Sequence, residues 1–246
     1  MPNEKYVLIL GAKSDVGEAL AYTFAANGYN ILLAARQSEV LVPTVQDLQI
    51  RHHIQAYNIE FDARNYESHE DFYKNLPAKP LVVVNVFGWL GNQEEAQHNF
   101  TLAHTIIDIN FTGAVSILNI VANDMEKRGE GTIIGISSVA GERGRKSNYL
   151  YGAAKAGFST YLEGLRHRLY TKNVHVMTVK PGFMRTQMTE GLPLPKPLTA
   201  EPTQVAQWIY KAYRKQKDTI YTMPIWRWIM LVIKLVPNKI FYKTNL

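Results

Sequence analysis

The stretch YVLILGAKSDVG, residues 6–17, decides the fold class of this chain. Five apolar residues lead into Gly11, and apolar residues then recur at helical spacing from Val16 to Ala26. A short apolar run, a glycine turn and a periodic segment are the pattern of a buried strand that passes into a helix. The stretch therefore predicts a strand–turn–helix unit.

The same pattern repeats along the chain. Further apolar runs follow, namely NILLAA (30–35), IQAYNIEF (54–61), LVVVNVF (81–87), GTIIGISS (131–138) and VHVMTVKPG (174–182). Helical segments lie between them, the longest over 99–128 and 149–170. Continuously apolar strands that alternate with helices imply a parallel sheet covered on both faces. We predict an α/β fold, a doubly wound parallel sheet of Rossmann-like type, in one domain over residues 1–224 followed by an amphipathic tail over 225–246.

The composition excludes several classes of protein. None of the 246 residues is a cysteine, which rules out disulfides, thiol catalysis and cysteine-ligated metals. The adjacent residues His52 and His53 cannot share one helix face, and no HExxH pattern occurs, so we expect no metal site. No basic-then-apolar leader follows Met1, so we expect a cytoplasmic protein.

The positive charge is concentrated near the C-terminus. The net charge is +6, and residues 205–246 carry eight of the 27 Lys and Arg residues but one of the 21 acids. A nucleic-acid-binding protein usually spreads basic residues over a folded face. We therefore expect no nucleic-acid partner, and we expect the charge to serve a partner of the tail.

The turn after the first strand is a candidate phosphate site. Backbone N–H groups at the start of the following helix, with the positive end of its dipole, can bind a phosphate between Gly11 and Gly17. The alternative is a glycine turn without a ligand. Asp15 stands where a glycine-rich loop usually has another glycine. Its carboxylate would have to turn away from a pyrophosphate, and we expect it to cap the first N–H groups of the helix.

The end of the second strand indicates which dinucleotide binds. An acidic residue there would hold the ribose hydroxyls of NAD, but the sequence has Ala35 and Arg36. Arg36 suits a 2′-phosphate, with Lys13 as a second cation, and this predicts NADP(H). The alternative is that Arg36 is an ordinary solvated loop residue.

A tyrosine and a lysine form the candidate catalytic pair. Tyr151 and Lys155 are four residues apart on one helix face, where the ammonium is expected to lower the pKa of the phenol. Tyr151 would then serve as an acid or base. Ser138 follows the fifth strand at its carboxyl end, where ligands bind in doubly wound sheets. A Tyr/Lys pair at this spacing also arises by chance, so the coincidence with Ser138 carries the prediction.

Together these features resemble the short-chain dehydrogenase/reductase family over about residues 6–222. In that family the residue matching Tyr151 donates a proton to the substrate carbonyl, and the one matching Ser138 holds the carbonyl oxygen. The resemblance implies that Lys155 binds the nicotinamide ribose and acidifies Tyr151, and that Asn110 helps to hold a water in the proton relay.

The resemblance also implies a set of cofactor contacts. Asp62 would hold the adenine amino group, and Thr186 would contact the carboxamide. The whole expected set is Gly11, Lys13, Ser14, Asp15, Val16, Gly17, Arg36, Asp62, Asn85, Gly88, Tyr151, Lys155, Pro181, Gly182 and Thr186. Two residues depart from the family pattern, Asp15 in the nucleotide turn and Phe87 in the NVFG motif.

Three stretches resemble one subgroup, the decaprenylphosphoryl-2-keto-erythro-pentose reductases and their relatives. They are VFGWLGNQ, ERGRKSNYLYGAAKAG and the aromatic, basic tail. The resemblance implies a keto-sugar on a polyprenyl phosphate as substrate. Arg143, Arg145 and Lys146 could bind its phosphate, or they could form a solvated loop.

The tail stretch IWRWIMLVIKLV has 12 residues and is too short for the ~20 that span a bilayer. Arg227 and Lys234 fall on one helix face. The face that we assign to the membrane interface consists of Trp226, Ile229, Met230 and Ile233. The basic residues favour an anionic surface. The alternative is a helix that packs on the enzyme or across a dimer interface.

These observations predict an NADPH-dependent reductase of an amphipathic or lipid-linked ketone, with a substrate loop at about 183–200. Alcohol oxidation is the reverse of the same reaction. One alternative is a soluble reductase of acyl or steroid-type ketones, and another is a non-catalytic NADP-binding protein at a membrane. We expect a cytoplasmic protein, peripheral on the inner face of the membrane through 225–246. The family resemblance implies a homodimer or homotetramer.

Overall fold

Seven parallel strands with helices on both faces form the protein in a computed structural model that describes residues 4–244. The strands of this sheet are β1 (Tyr6–Leu10), β2 (Asn30–Ala35), β3 (Ala56–Glu60), β4 (Val82–Asn85), β5 (Gly131–Ile136), β6 (Val174–Lys180) and β9 (Thr219–Tyr221). A separate two-stranded pair consists of β7 (Phe183–Met184) and β8 (Thr199–Ala200).

Ten α-helices connect and cover the strands within the described residues. They are α1 (Asp15–Ala25), α2 (Val42–His52), α3 (His69–Lys74), α4 (Gln93–Ala96), α5 (Phe100–Ile107), α6 (Gly113–Arg128), α7 (Tyr149–Leu169), α8 (Pro202–Arg214), α9 (Ile225–Leu235) and α10 (Asn238–Phe241). A π-helical turn, Asp108–Thr112, joins α5 to α6.

The strand order places a crevice at the middle of the sheet. The order is β3-β2-β1-β4-β5-β6-β9, so the chain reverses its direction of growth between β1 and β4. Ligands of such sheets bind outside the carboxyl ends of the strands at this switch point. At Gly11, where β1 ends, φ is +95° and a methyl group would lie 2.6 Å from the backbone nitrogen of Phe87. The turn after β1 can therefore pass the loop after β4 only with glycine.

Two apolar layers bury the central strands, which confirms the predicted doubly wound fold. On one face, Leu20, Phe24 and Ile209 lie in the layer that covers the sheet. On the other face, the buried layer includes Ile117 and Phe158. Strands covered on both faces need no polar side, which explains their continuously apolar sequences.

The segment Phe100–Arg128 is long and apolar enough to cross a membrane by length and composition. Half of its most apolar window is buried inside the protein, as in the core helix of a globular domain. Ile117 and Leu118 are fully buried in this segment. The segment is therefore a core element of this fold.

The tail packs on the protein by the face that the sequence assigned to a membrane. Trp226 and Met230 of α9 are 3% and 0% exposed and contact Val139. A methyl group at Gly182 would lie 1.9 Å from the Trp226 indole, so the ring rests directly on that glycine. The prediction that this face lies in the membrane interface is thus wrong, because the rest of the protein covers it.

Candidate active site

The nucleotide turn between β1 and α1 is fixed by Ser14. The Ser14 hydroxyl donates to the Gly11 carbonyl at 2.8 Å and accepts from the Gly17 backbone N–H at 3.1 Å. A methyl group at Gly17 would lie 2.6 Å from the Gly11 carbonyl oxygen. The turn is therefore tight, and it presents the N-terminus of α1 to the crevice, as a phosphate site requires.

Asp15 does not cap α1 as expected. Ser14 caps the helix, and the Asp15 carboxylate instead accepts a hydrogen bond from the Gln187 backbone N–H at 2.9 Å. The carboxylate is thus bound by a partner that lies 172 residues further along the chain.

One cavity of about 420 Å³ opens beside this turn and contains six of the expected cofactor residues. They are Gly11, Lys13, Ser14, Arg36, Asp62 and Gly88. The Lys13 ammonium donates to the Arg36 carbonyl at 3.4 Å. The end of the Lys13 side chain therefore lies beside the backbone from which the Arg36 side chain extends. This half of the site can hold a phosphate between them.

Three aromatic residues line this cavity and were not among the expected cofactor contacts, namely Phe61, Phe87 and Trp89. Phe61 and Phe87 both line it, with ring centroids 5.8 Å apart. Phe87 is the residue that departs from the family pattern, and here it forms an apolar wall beside Gly11. Its position in the NVFG motif after β4 was the available signal, since residues that follow strands at the switch point face the ligand.

Asp62 is held in place by a buried histidine that the sequence analysis also missed. His69 is 0% exposed, its Nε2 lies 3.0 Å from the Asp62 carbonyl oxygen, and its Nδ1 lies 2.8 Å from the Ser116 hydroxyl. Burial lowers the pKa of His69 and favours the neutral ring. The Asp62 carboxylate accepts from the Arg64 backbone N–H at 3.0 Å.

A second cavity of about 610 Å³ contains the candidate catalytic pair. The expected residues that line it are Ser14, Asp15, Val16, Gly88, Tyr151, Lys155 and Thr186. Much of the remaining lining is apolar and includes Trp89, Leu90, Met184, Met188 and Leu192. Ser14 and Gly88 line both cavities, so the two halves form one cleft.

Several expected residues lie behind the cavity walls. Asn85 is the last residue of β4 and is 1% exposed. Its Oδ1 has no hydrogen-bond partner within residues 4–244. Pro181 is buried, and Gly182 lies against Trp226. Gly17, Asn110 and Ser138 also support the cleft without lining either cavity.

The pKa values of the candidate catalytic pair shift in the direction opposite to the expected one for Tyr151. Burial raises the pKa of Tyr151 to about 12, and a hydrogen bond with Ser138 lowers it only in part. Burial lowers the pKa of Lys155 to about 8. The Lys155 ammonium donates to the Ile136 carbonyl at 3.0 Å and lies 5.7 Å from the Tyr151 ring centroid. Tyr151 is therefore protonated at neutral pH, the state of a proton donor.

Asn110 fastens the loop after β4 to the π-helical turn. Its amide nitrogen donates to the carbonyls of Trp89 at 2.6 Å and Ile106 at 2.8 Å, and its oxygen accepts from the Trp89 N–H at 3.2 Å. A methyl group at Gly88 would lie 2.9 Å from the Asn110 oxygen and 3.3 Å from the Lys155 nitrogen. The side chain thus positions the loop beside Lys155, and the implied role in holding a water stays a prediction.

Arg143 and Arg145, two of the three basic residues of ERGRKSN, both contact the tail. Arg143 donates to the carbonyls of Ile233 and Val236, the latter at 2.8 Å, and its guanidinium lies 3.9 Å from the Phe241 ring centroid. It therefore caps the C-terminus of α9, and it lines neither cavity of the cleft. Arg145 has no carboxylate within ion-pair distance among residues 4–244, and it contacts the Met230 sulfur at 3.4 Å.

Comparisons with known proteins agree with this geometry. Residues 5–196 match the family model described as short chain dehydrogenase. An uncharacterized oxidoreductase of Mycobacterium tuberculosis is 33% identical over 235 residues, 94% of each chain, and one of Streptomyces coelicolor is 31% identical over 239 residues, 96% of this chain and 94% of its own.

Solved structures share the fold at low identity. A short-chain dehydrogenase from Sphingobium yanoikuyae in complex with NADPH superposes with a TM-score of 0.82 at 21% identity, over 95% of this chain and 97% of its own. A short-chain dehydrogenase from Burkholderia cenocepacia in complex with NADP superposes with a TM-score of 0.82 at 19% identity, over 98% of this chain and 97% of its own. By its sequence, its fold and the family match over most of its length, this chain is a member of the short-chain dehydrogenase/reductase family of oxidoreductases.

Proposed function

We propose that the protein is an NADPH-dependent reductase that converts a ketone to a secondary alcohol. The observation that carries the proposal is one cleft that contains the Tyr151 and Lys155 pair at one end and the cations Lys13 and Arg36 at the other. The turn at the N-terminus of α1, which requires glycine at positions 11 and 17, lies between these two ends and fits a pyrophosphate. Solved relatives of the same fold are complexes with NADPH and NADP, which supports the choice of cofactor.

The side chains of the cleft then have distinct tasks. The bound cofactor supplies the hydride. Tyr151, protonated at neutral pH, donates its proton to the carbonyl oxygen, and the Ser138 hydroxyl, its hydrogen-bond partner, holds that oxygen in line. Lys155, with a pKa of about 8, carries a proton at neutral pH, binds the ribose hydroxyls and stabilises the phenolate left behind. These roles also operate in reverse for alcohol oxidation.

Replacing Arg36 with Asp should shift the cofactor preference toward NADH. The substitution removes a charge-assisted hydrogen bond to the 2′-phosphate, so we expect kcat/KM for NADPH to fall roughly 10-fold to 100-fold. The value for NADH should hold or rise, because a carboxylate can accept from the ribose hydroxyls. Arg51→Asp is the matched control, since Arg51 pairs with Asp47 outside both cavities. An unchanged NADPH/NADH ratio in the Arg36 variant would contradict this assignment.

The substrate that fits the cleft is amphipathic. Beside the catalytic pair, the wall contains Trp89, Leu90 and Leu192, which suits an apolar chain. Arg145, seven residues after Ser138, lines neither cavity and contacts Met230 of α9, so a phosphate on the substrate would lie outside the cleft. We therefore infer a lipid-linked ketone, such as a polyprenyl-phosphate keto-sugar. The alternative is a soluble acyl or steroid-type ketone.

The outward side of the tail supports a membrane partner. We define the outer face as the exposed apolar residues of α9, of α10 and of the position after α10, which are Ile225, Trp228, Leu231, Val232, Leu235, Ile240 and Tyr242. Trp228, Val232 and Leu235 are 65%, 63% and 73% exposed, and their spacing places them on one side of the helix. An exposed apolar patch of this kind marks a membrane or protein contact.

Charge favours an anionic bilayer as the occupant of the outer face. Residues 225–246 contain no acid, and their basic residues are Arg227, Lys239, Lys243 and Lys234, of which Lys234 pairs with Glu142 at 3.6 Å. Each basic residue near an anionic lipid surface adds about 1 kcal/mol of attraction. The inner side of α9 is held by Trp226 on Gly182 and by the Arg143 cap, so the outer face is already formed without lipid. The protein would then be cytoplasmic and peripheral, with its substrate loop beside the bilayer.

Vesicle co-sedimentation tests this proposal. The full chain should bind vesicles of phosphatidylcholine mixed equally with phosphatidylglycerol, and it should bind phosphatidylcholine alone weakly. Trp228→Ala with Leu235→Ala should lose binding, because both side chains are exposed and apolar. Tyr170→Ala is the control, since this exposed aromatic lies at the end of α7. Deleting the tail is a poor test, because it also removes Trp226 from Gly182.

Three results would contradict the membrane proposal. One is a full chain that does not bind either vesicle. Another is a Trp228/Leu235 variant that binds as well as the full chain. The third is an outer face that holds a second copy instead, seen as a concentration-dependent dimer that only this variant loses. We propose separately that α5, α6 and α7 form a homodimer or homotetramer. Light scattering of the unaltered chain and of the Trp228/Leu235 variant measures the molar mass of each.

A further inference from the structure

Asp15 connects the nucleotide turn to the segment that follows β6. Its half-buried carboxylate accepts from the Gln187 backbone N–H at 2.9 Å, across 172 residues of sequence. Gln187 is the first residue of the 3₁₀ turn Gln187–Thr189, and Thr186 is the N-cap of this turn. The hydroxyl of Thr189 in turn accepts from the Thr186 backbone N–H at 3.2 Å, so the turn is a compact unit.

This hydrogen bond lies beside the place where the two halves of the cleft meet. Asp15 and Gln187 line the cavity with the catalytic pair. Met188, the next residue, lines that cavity and also the cavity that contains Arg36. The 3₁₀ turn therefore stands where the two halves of the cleft meet, which is where the pyrophosphate of a dinucleotide that spans both would lie.

A glycine at position 15 could not make this contact. The bond requires an acceptor on a side chain, and Ser14 already supplies the cap of α1. Because the Asp15 oxygen is directed at Gln187, its charge is drawn away from the N–H groups of the turn after β1. The residue that departs from the family pattern thus has a hydrogen-bond donor of its own, the Gln187 backbone N–H.

We propose that Asp15 is a positioning residue that holds the Gln187–Thr189 turn over the cofactor. By fixing this turn it also fixes Thr186, which faces the catalytic cavity. The inference rests on the proposed function in one respect, the presence of a dinucleotide in the cleft. The contact between Asp15 and Gln187 is independent of any ligand and can be tested without one.

Three variants separate acceptor from charge. Asp15→Ala removes the acceptor and the charge, whereas Asp15→Asn keeps an acceptor oxygen and removes only the charge. Glu18→Ala is the control, because Glu18 is an exposed acid one turn later on α1. Amide hydrogen exchange at Gln187 in the free protein and the Kd for NADPH, from the fluorescence of the reduced cofactor, are measured for each.

We expect Asp15→Ala to accelerate exchange at Gln187 and to raise the Kd for NADPH about tenfold, which is ~1.4 kcal/mol. Asp15→Asn and Glu18→Ala should stay close to the unaltered protein in both measurements. Unchanged exchange at Gln187 in Asp15→Ala would overturn the proposal. Tighter NADPH binding by both Asp15 variants would also overturn it, because the carboxylate would then act only by repelling the pyrophosphate.

The two proposals fail in different ways. If the unaltered protein does not bind NADPH, the proposed function fails, and the exchange rates of the free protein still decide whether Asp15 holds the turn. If NADPH binds equally well to every variant while exchange at Gln187 changes, the contact exists but does not position the cofactor, and the positioning role is overturned.

Discussion

Replacing Tyr151 with Phe should lower kcat for ketone reduction by about 10³-fold or more, within or above the range of a general acid. The substitution removes the hydroxyl that supplies the proton and keeps the ring. The Kd for NADPH should remain within about twofold, because a lost hydrogen bond to substrate does not touch the cofactor phosphates. Steady-state rates with a panel of ketones and a fluorescence titration of NADPH measure the two quantities.

Tyr149→Phe is the matched control for Tyr151→Phe. Tyr149 begins the same helix two residues earlier, but it is 41% exposed and lines neither cavity. Its variant should retain full activity. A Tyr151→Phe protein as active as the Tyr149→Phe protein would show that the reaction takes its proton from another group, and the catalytic assignment would be wrong.

Replacing Trp226 with Ala should reduce the free energy of unfolding by about 3–5 kcal/mol, the usual cost of truncating a buried large aromatic side chain. The indole is 3% exposed, lies on Gly182 and meets the Phe183 ring edge-on with centroids 5.2 Å apart. Removing it leaves a cavity beneath α9 that the Gly182 backbone cannot fill. Urea unfolding followed by circular dichroism measures the loss.

Trp228→Ala makes the same chemical change two residues away on the same helix. Trp228 is 65% exposed, so its loss should change the free energy of unfolding by less than ~0.5 kcal/mol. We expect the opposite order in vesicle binding. Trp228→Ala should weaken binding, whereas a folded Trp226→Ala protein should bind, because it retains the outer face. Equal unfolding free energies for the two variants would mean that α9 does not pack on Gly182 in solution.

The catalytic pair and the nucleotide turn were readable from sequence because their patterns are local. Tyr151 and Lys155 share a helix face through the 3.6-residue period, and Gly11 and Gly17 belong to one turn. The carboxyl ends of parallel strands meet at one edge, so Ser138 could be placed near them from its position at the end of the fifth strand. The electrostatics could not be read this way, because the pKa of Tyr151 depends on burial by residues from several elements.

The tail shows where a local pattern stops being sufficient. Apart from Arg227 and Lys234, its 12-residue stretch is apolar all around the helix, so the period predicts a helix and cannot tell which apolar side packs on the protein. The absence of a side chain at Gly182 leaves room for one indole, and Trp226 occupies it while Trp228 stays exposed. Arg143, 90 residues before Ile233, then caps the helix that the sequence left free.

The sequence by itself determined the parallel sheet, the glycine turn and the Tyr151–Lys155 pair, because each is encoded by residues a few positions apart. Only the tertiary structure decided that Asp15 binds Gln187 and that Trp226 covers Gly182. Both contacts join residues far apart in the chain, and their geometry follows from how whole helices and strands pack. A side chain's partner in such a contact is set by the shape of the assembled fold, which no short-range period contains.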